Sequence, residues 1–323
     1  MVSIKPVDTG CEAKYMIHKK SAKCGNEIRH GNIARGGKVK LSIIIPAKNE
    51  STSLIGLLQT IKREMPDAEI IVVNDGSTDN TDQVCSDVGI RVLNHPYSMG
   101  NGAAIKTGAR AASGDVLVFM DADGQHQPED IKSLLGTFED GYDMVVGARS
   151  TTSQASIARL CGNTFYNWFA SIMVGQKVED LTSGFRVVKA EYFKKFLHLL
   201  PNGFSYPTTC TMAFFRSGYS VGYVPIKANK RIGKSHIKLI KDGVRFLLIL
   251  FKIGTLYSPL KIFFPLSALS FAIGLCYYLY TYMTMERFTN MSALLFTTSV
   301  TIFLMGLISE QITNLIYSQN QNE

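Results

Sequence analysis

From Leu41 onward, short runs of β-branched and aliphatic residues alternate with polar or glycine-containing turns and with amphipathic stretches. The runs Leu41–Ile45, Glu69–Val73, Ile90–Leu93, Asp115–Met120 and Asp143–Val146 have the length and composition of strands. They are apolar almost throughout instead of alternating, which predicts strands covered on both faces. Between them, Ser53–Arg63, Thr78–Val88, Gly102–Ala112 and Pro128–Glu139 carry helical periodicity. The last opens on Pro128, Glu129 and Asp130, residue types that suit the unpaired amides and positive end of a helix. This order predicts an α/β layered domain whose ligand-binding loops lie at the carboxyl ends of its strands.

The pattern changes after residue 226. Ile262–Tyr280 and Met291–Ile308 contain no charged residue, and each approaches the ~20 residues needed to cross hydrocarbon. Upstream stand Lys227, Lys230, Arg231, Lys234, Lys238, Lys241, Arg245, Lys252 and Lys261, whereas the link between the two runs carries only Glu286 and Arg287. The bias of positive charge predicts a multi-pass inner-membrane protein with its α/β domain on the cytoplasmic side. Ile237–Tyr257 mixes lysines with Phe246–Phe251 and suits either the headgroup plane or an ordinary packed helix. The expected organisation is therefore a flexible basic arm (1–39), a catalytic domain (40–235), a juxtamembrane amphipathic segment (236–258), a two-helix hairpin (259–312) and a polar tail (313–323).

Composition adds two constraints. The formal charge of +8, from 34 Lys and Arg against 26 Asp and Glu, favours anionic partners such as phosphorylated substrates or acidic lipid headgroups. The basic residues cluster beside the apolar spans with no platform of stacking aromatics, which argues against nucleic acid. Six scattered cysteines lack zinc-ligand or redox spacing and read as reduced thiols.

Three strand ends carry the candidate chemistry. Asp121-Ala122-Asp123-Gly124-Gln125 follows the run ending at Met120, so two carboxylates one residue apart emerge where a strand stops. Oxygen ligands of this kind suit Mg²⁺ or Mn²⁺, ions that commonly bridge to substrate phosphates. Loop acids that merely cap turns are the alternative. Asn74-Asp75-Gly76-Ser77-Thr78-Asp79 follows the second strand, with Ser77 or Thr78 as the cap of the next helix and Asp75 left free to meet a ligand. Pro46-Ala47-Lys48-Asn49-Glu50 follows the first.

These segments, with Asn101-Gly102-Ala103, Gly147-Ala148-Arg149 and Asp180-Leu181-Thr182-Ser183-Gly184-Phe185-Arg186, resemble the family 2 glycosyltransferases. Within that family the resemblance is to polyprenyl-phosphate hexose transferases of the dolichol-phosphate mannose synthase type, and it runs from about Leu41 to Lys238. It implies a GT-A fold, a UDP- or GDP-sugar donor, a polyprenyl phosphate acceptor and inversion at the anomeric carbon. It further implies that Pro46, Lys48, Glu50, Val73 and Asp75 hold the base and ribose, that Asp121, Asp123 and Gln125 face the metal, and that Ala122 lies beside the nucleotide. Arg149 meets the acceptor phosphate on this reading. Arg159 and Asn163 either flank the acceptor or lie on the surface of an amphipathic helix. Lys230-Arg231-Ile232-Gly233-Lys234-Ser235-His236 is similar to a basic diphosphate-binding motif in shifted register, so Arg231 and Lys234 supply its charge. Phe204-Ser205-Tyr206-Pro207-Thr208-Thr209 has no acid where many relatives carry one, a departure that bears on recognition of the donor sugar.

A lipid phosphate is largely dianionic at neutral pH, its second pKa being near ~6, so it needs no protein base to attack. Asp180 is the candidate base or sugar-orienting acid, its alternative being a cap for the Thr182–Gly184 turn. His126 could approach a phosphate. Rival functions are transfer to a glycan, protein or other lipid, a processive synthase, or a non-catalytic nucleotide-sugar-binding membrane subunit; a homo-oligomer stays open.

Overall fold

A computed structural model of the chain describes residues 39–149, 157–203, 205–227, 251–252 and 254–319. The side chains of 157–161 and 317–319 are not among those described, and residues 1–38 of the basic arm, Arg231, Lys234 and residues 236–250 of the expected juxtamembrane segment lie outside the described residues.

The first half is βα repeats: β1 (Leu41–Ala47), α1 (Ser51–Glu64), β2 (Glu69–Asn74), α2 (Thr81–Asp87), β3 (Arg91–Asn94), α3 (Asn101–Ala111), β4 (Val116–Phe119) and α4 (Asp130–Glu139). The second half adds β5 (Met144–Arg149), α5 (Ile157–Val174), β6 (Arg186–Lys189), α6 (Ala190–Lys195), α7 (Tyr206–Arg216) and β7 (Val221–Ile226). The strands form one sheet in the order β3-β2-β1-β4-β6-β5-β7.

Neighbours in β3-β2-β1-β4 are parallel, as are β5 and β7, while β6 runs antiparallel to both β4 and β5. The carboxyl ends of the other six strands therefore share one edge with the amino end of β6. The expectation of two-sided burial holds for β1, β2, β4 and β5 and fails for β3, which lies at the edge of the sheet and has no buried residue. Ile44, Ile71, Val73, Leu117 and Phe119 pack on one face with α3 and α7 residues, and Ile43, Ile45, Val72, Val116 and Val118 pack on the other with α1 and α4 residues.

Three local expectations are corrected. The second helix begins at Thr81, not at Thr78, because Asp79 accepts bonds from Thr81 N (3.1 Å) and Thr81 Oγ1 (2.5 Å) and Ser77 and Thr78 are held by Asn49 instead. The fourth helix begins at Asp130; Pro128 forms the preceding turn, its carbonyl accepting from Ile131 N at 3.1 Å. Two strands, β6 and β7, were not among the candidate runs: β6 is only four residues long, and β7 carries Gly222 and Pro225.

The C-terminal hairpin consists of α8 (Leu260–Met285) and α9 (Asn290–Gln319), both long and apolar enough to span a bilayer. α9 continues beyond the point where a polar tail was expected. Phe264, Leu269, Ile273, Leu304 and Ile308 are exposed along the pair, unlike the side chains of a soluble core helix. Small and hydroxyl residues join the two helices: Ser267 Oγ and Ser299 Oγ each donate to the other's carbonyl at 3.0 Å, and Gly274 packs on Leu295.

Candidate active site

The β1 and β2 ends are stitched together before any ligand is considered. Asn49 takes a left-handed backbone (φ 56°), which asparagine tolerates better than most residues. Its amide donates to Ser77 Oγ (3.0 Å), and its side-chain oxygen accepts from Thr78 N (2.8 Å). Ser53 Oγ then donates to Ala122 O at 2.7 Å, tying the start of α1 to the middle of the paired-aspartate loop. Pro46, Val73 and Ala122 are buried in this edge, and Glu50 is partly buried.

Asp75 is not free, contrary to the sequence expectation. One oxygen accepts from His95 Nδ1 and Met99 N, both at 2.7 Å; the other accepts from Ser98 Oγ (2.8 Å) and Gly100 N (2.9 Å). A carboxylate offers about four lone-pair positions, and here four donors from the β3–α3 connection occupy them. Burial works to raise its pKa, but these donors, His95 foremost, hold it below the usual carboxylate value. Lys48 Nζ joins the same network through Ser98 Oγ at 2.8 Å.

Asp121 and Asp123 leave β4 on either side of buried Ala122. Asp121 is backed by Gly184 so closely that a Cβ there would sit 2.8 Å from its Oδ2, while Asn101 Nδ2 reaches Oδ1 at 3.5 Å. Asp123 Oδ1 accepts from Gln125 N at 3.1 Å. His126 is buried, stacked on Phe185 with ring centroids 5.0 Å apart, and its Nδ1 has no hydrogen-bond partner among the described residues. Burial pushes the His126 pKa down against the opposing pull of Asp121 and Asp123. Among the described residues no three His, Cys, Asp or Glu side chains converge on a point. Two carboxylates at a strand end match a hard cation that completes its coordination with substrate oxygens, and do not match a closed all-protein cage.

Arg149, at the end of β5, meets the turn before β6. Its Nε and Nη2 donate to the two oxygens of Asp180 at 2.8 and 3.0 Å, and Nη2 also donates to Thr182 Oγ1 at 2.5 Å. Asp180 additionally accepts from Thr182 N and Ser183 N, each at 3.1 Å. Burial alone raises the Asp180 pKa; the forked contact with Arg149 outweighs it and lowers the value. Of the readings the sequence allows for Asp180, these bonds are those of the turn cap, and the same carboxylate orients Arg149. Asn163 lies on α5 and is partly buried, and Arg159 falls in the first turn of that helix, with its side chain outside the described set.

Arg186 was quoted in a motif but not singled out. It is completely buried; Nη1 donates to Pro207 O (3.0 Å) and Thr211 Oγ1 (3.2 Å), and Nη2 donates to Ser183 O. It thereby joins the 183–184 turn, which backs Asp121, to the first turn of α7. Tyr206 stacks beneath its guanidinium at 5.9 Å. An arginine set directly before two valines was the available signal.

Gly184→Ala tests the close approach. The added methyl must displace the Asp121 carboxylate, and a shift of about 1 Å at a reacting site costs on the order of 10²-fold in rate. Gly136→Ala, on an open face of α4, is the matched control, since nothing lies within 4 Å of its Cβ position. Initial rates of the two variants should differ by that factor.

Residues 42–197 match the model for glycosyl transferase family 2, and residues 258–315 match that for the GtrB C-terminal hairpin. The chain is 26% identical over 299 residues to the putative glycosyltransferase CsbB of Bacillus subtilis, covering 86% of this chain and 88% of that protein. It is 29% identical over 204 residues to the polyprenol monophosphomannose synthase of Mycolicibacterium smegmatis, covering 58% and 77%. In fold it is similar to the glucosyl-3-phosphoglycerate synthase of Mycobacterium tuberculosis, solved with Mn²⁺ and UDP, at a TM-score of 0.55 and 19% identity over 79% of this chain and 86% of that one. The GT-A type sheet, the strand-end loops and the two sequence matches agree: the chain is a family 2 glycosyltransferase whose catalytic domain is followed by a GtrB-type membrane hairpin.

Proposed function

We propose that the enzyme transfers a hexose from a nucleotide diphosphate sugar to a polyprenyl phosphate at the cytoplasmic face of the membrane, with inversion and with Mg²⁺ or Mn²⁺ bound at Asp121 and Asp123. The observation that carries this reading is the shared edge. Parallel strand ends and the reversed turn before β6 bring two aspartates, a forked Arg149–Asp180 pair and buried Arg186 to one side of a sheet whose helices α5 and α7 are bonded to the root of the hairpin. Relatives named for polyprenol and undecaprenyl phosphate acceptors support the acceptor class.

The reaction forms a bond between the anomeric carbon and a phosphate oxygen and breaks the bond to the diphosphate, which leaves with its electron pair. Bringing a dianion toward a diphosphate is opposed by repulsion that grows as the dielectric falls. A bound divalent cation supplies positive charge against the leaving diphosphate. Arg149 presents its remaining Nη1 edge to the arriving phosphate, oriented by Asp180, and Arg231 and Lys234 belong to the same cationic set. Pro46, Lys48, Glu50, Val73 and Asp75 line or brace the nucleotide end, Gln125 and Ala122 complete the metal loop, and Arg159 and Asn163 flank the acceptor.

Membranes containing the full chain, incubated with a panel of labelled UDP- and GDP-sugars and undecaprenyl or dolichyl phosphate, should yield label in the organic extract. Label confined to aqueous or protein fractions would replace the acceptor. Arg149→Lys keeps a charge but loses the fork, and should raise the KM for polyprenyl phosphate by roughly tenfold with little change in donor KM. An effect on donor KM alone would remove Arg149 from the acceptor side.

A further inference from the structure

The catalytic domain and the hairpin meet through charges that finish helix ends. Arg216, the last residue of α7, donates from Nη2 to Glu310 Oε1 (3.1 Å) and to Asn314 Oδ1 (2.8 Å), one turn apart on α9. The other oxygen of Glu310 accepts from Leu260 N (3.3 Å), an amide at the start of α8. That amide has no intrahelical partner, and a negative charge is favourable at a helix amino end.

Lys261 does the reverse at α5. Its Nζ donates to the carbonyls of Ile172 (3.0 Å) and Met173 (2.8 Å) in the last turn of that helix, where carbonyls are unpaired and a cation is favourable. Ser258 Oγ also donates to Met173 O (3.2 Å), and Tyr257 OH donates to Thr209 O on α7 (2.8 Å). The root of the hairpin is thus bonded to both α5, which follows the Arg149 strand end, and α7, whose first turn is held by Arg186.

Ionisable groups at the mouth of apolar spans are costly unless paired, and here each is paired across the junction. We propose that Arg216, Glu310 and Lys261 are positioning residues that set the height and tilt of the catalytic domain over the bilayer, so that a phosphate at headgroup level reaches the Arg149 edge. Free rotation about the root would leave the site intact yet present it to bulk water.

Trp168 offers a direct readout. It is the chain's single tryptophan, it is exposed on α5, and it stands one turn before Ile172 on the same exposed stripe as Phe165. In vesicles containing brominated phospholipid, Trp168 emission of the full chain should be quenched relative to unbrominated vesicles. Quenching should be lost in Glu310→Ala and in Arg216→Ala. Glu310→Gln, which keeps an acceptor oxygen, should fall between these and the wild type.

The kinetic arm rests on the proposed acceptor. Both alanine variants should raise the KM for a long-chain polyprenyl phosphate in vesicles by about tenfold, while kcat/KM for a short, water-soluble prenyl phosphate stays unchanged. Near-ultraviolet circular dichroism confirms that each variant is folded. Unquenched wild type, equal quenching in all variants, or equal losses on both acceptors would overturn the positioning role. Absence of any transfer to prenyl phosphate by the wild type, with quenching as described, would overturn the acceptor and leave the positioning role standing.

Discussion

Asp123→Ala, introduced into the full chain, is expected to give a folded membrane protein that transfers sugar slower than wild type by on the order of 10³-fold. The aspartate stands on a partly exposed loop, and the hydrogen bond it accepts from Gln125 N closes a local turn, so removing it costs about 1 kcal/mol of stability. Its proposed contribution to rate is far larger. Half of the carboxylate charge that would hold a divalent cation disappears, and the leaving diphosphate is then left to separate against its own charge. Initial rates of labelled transfer, measured in Mg²⁺ and in Mn²⁺, check the rate. A melting curve checks the fold. Wild-type enzyme in excess chelator should fall to a comparable rate, and chelator should change the variant little. Undiminished turnover of Asp123→Ala, or of wild type in chelator, would sink the metal assignment.

Asp75→Ala should act on stability first. The substitution strands His95, Ser98 Oγ and the amides of Met99 and Gly100, four donors that meet on one buried carboxylate. Leaving buried donors unsatisfied costs about 1–3 kcal/mol each, partly offset by water entering the loosened loop, so a net loss of about 3 kcal/mol is expected. Gly100 and Met99 lead into α3, whose Asn101 faces Asp121, so the donor KM should rise as well.

The pH dependence follows from the sign of the shift. Asp75 has a folded pKa below its unfolded one, so its contribution is present in full above the usual carboxylate pKa of ~3.9 and is lost as pH falls through the lowered folded value. Asp180 has the same sign. The stability difference between wild type and Asp75→Ala should therefore be constant from pH 7 to pH 5 and shrink below pH 4. Denaturant midpoints at those pH values measure it, and a difference that grows on acidification would contradict an ionised Asp75.

Legibility was uneven for physical reasons. β1, β2 and β4 were plain because strands buried on both faces must be apolar at nearly every position. β6 was obscure because a four-residue strand containing a fully buried arginine carries no such run. The carboxylates were also easy to find and hard to interpret. Asp75, Asp123 and Asp180 all end strands or turns and look alike in the chain, yet one is saturated by four protein donors, one closes a short loop, and one is locked to Arg149.

By itself the sequence determined what local chemistry can encode: the βα alternation, the paired aspartates placed after an apolar run, the two uncharged stretches of membrane-crossing length, and the family motifs. Period, length and charge survive in one dimension, because each depends on neighbours within a turn or a strand. Only the tertiary structure decided which loops meet. The antiparallel insertion of β6 between β4 and β5 turns the Asp180–Phe185 segment to the edge where Asp121 and Arg149 emerge, and Gly184 then comes into contact with Asp121. Pairings of that kind link residues tens of positions apart, and their geometry depends on strand order and direction, which the hydrophobic pattern does not carry.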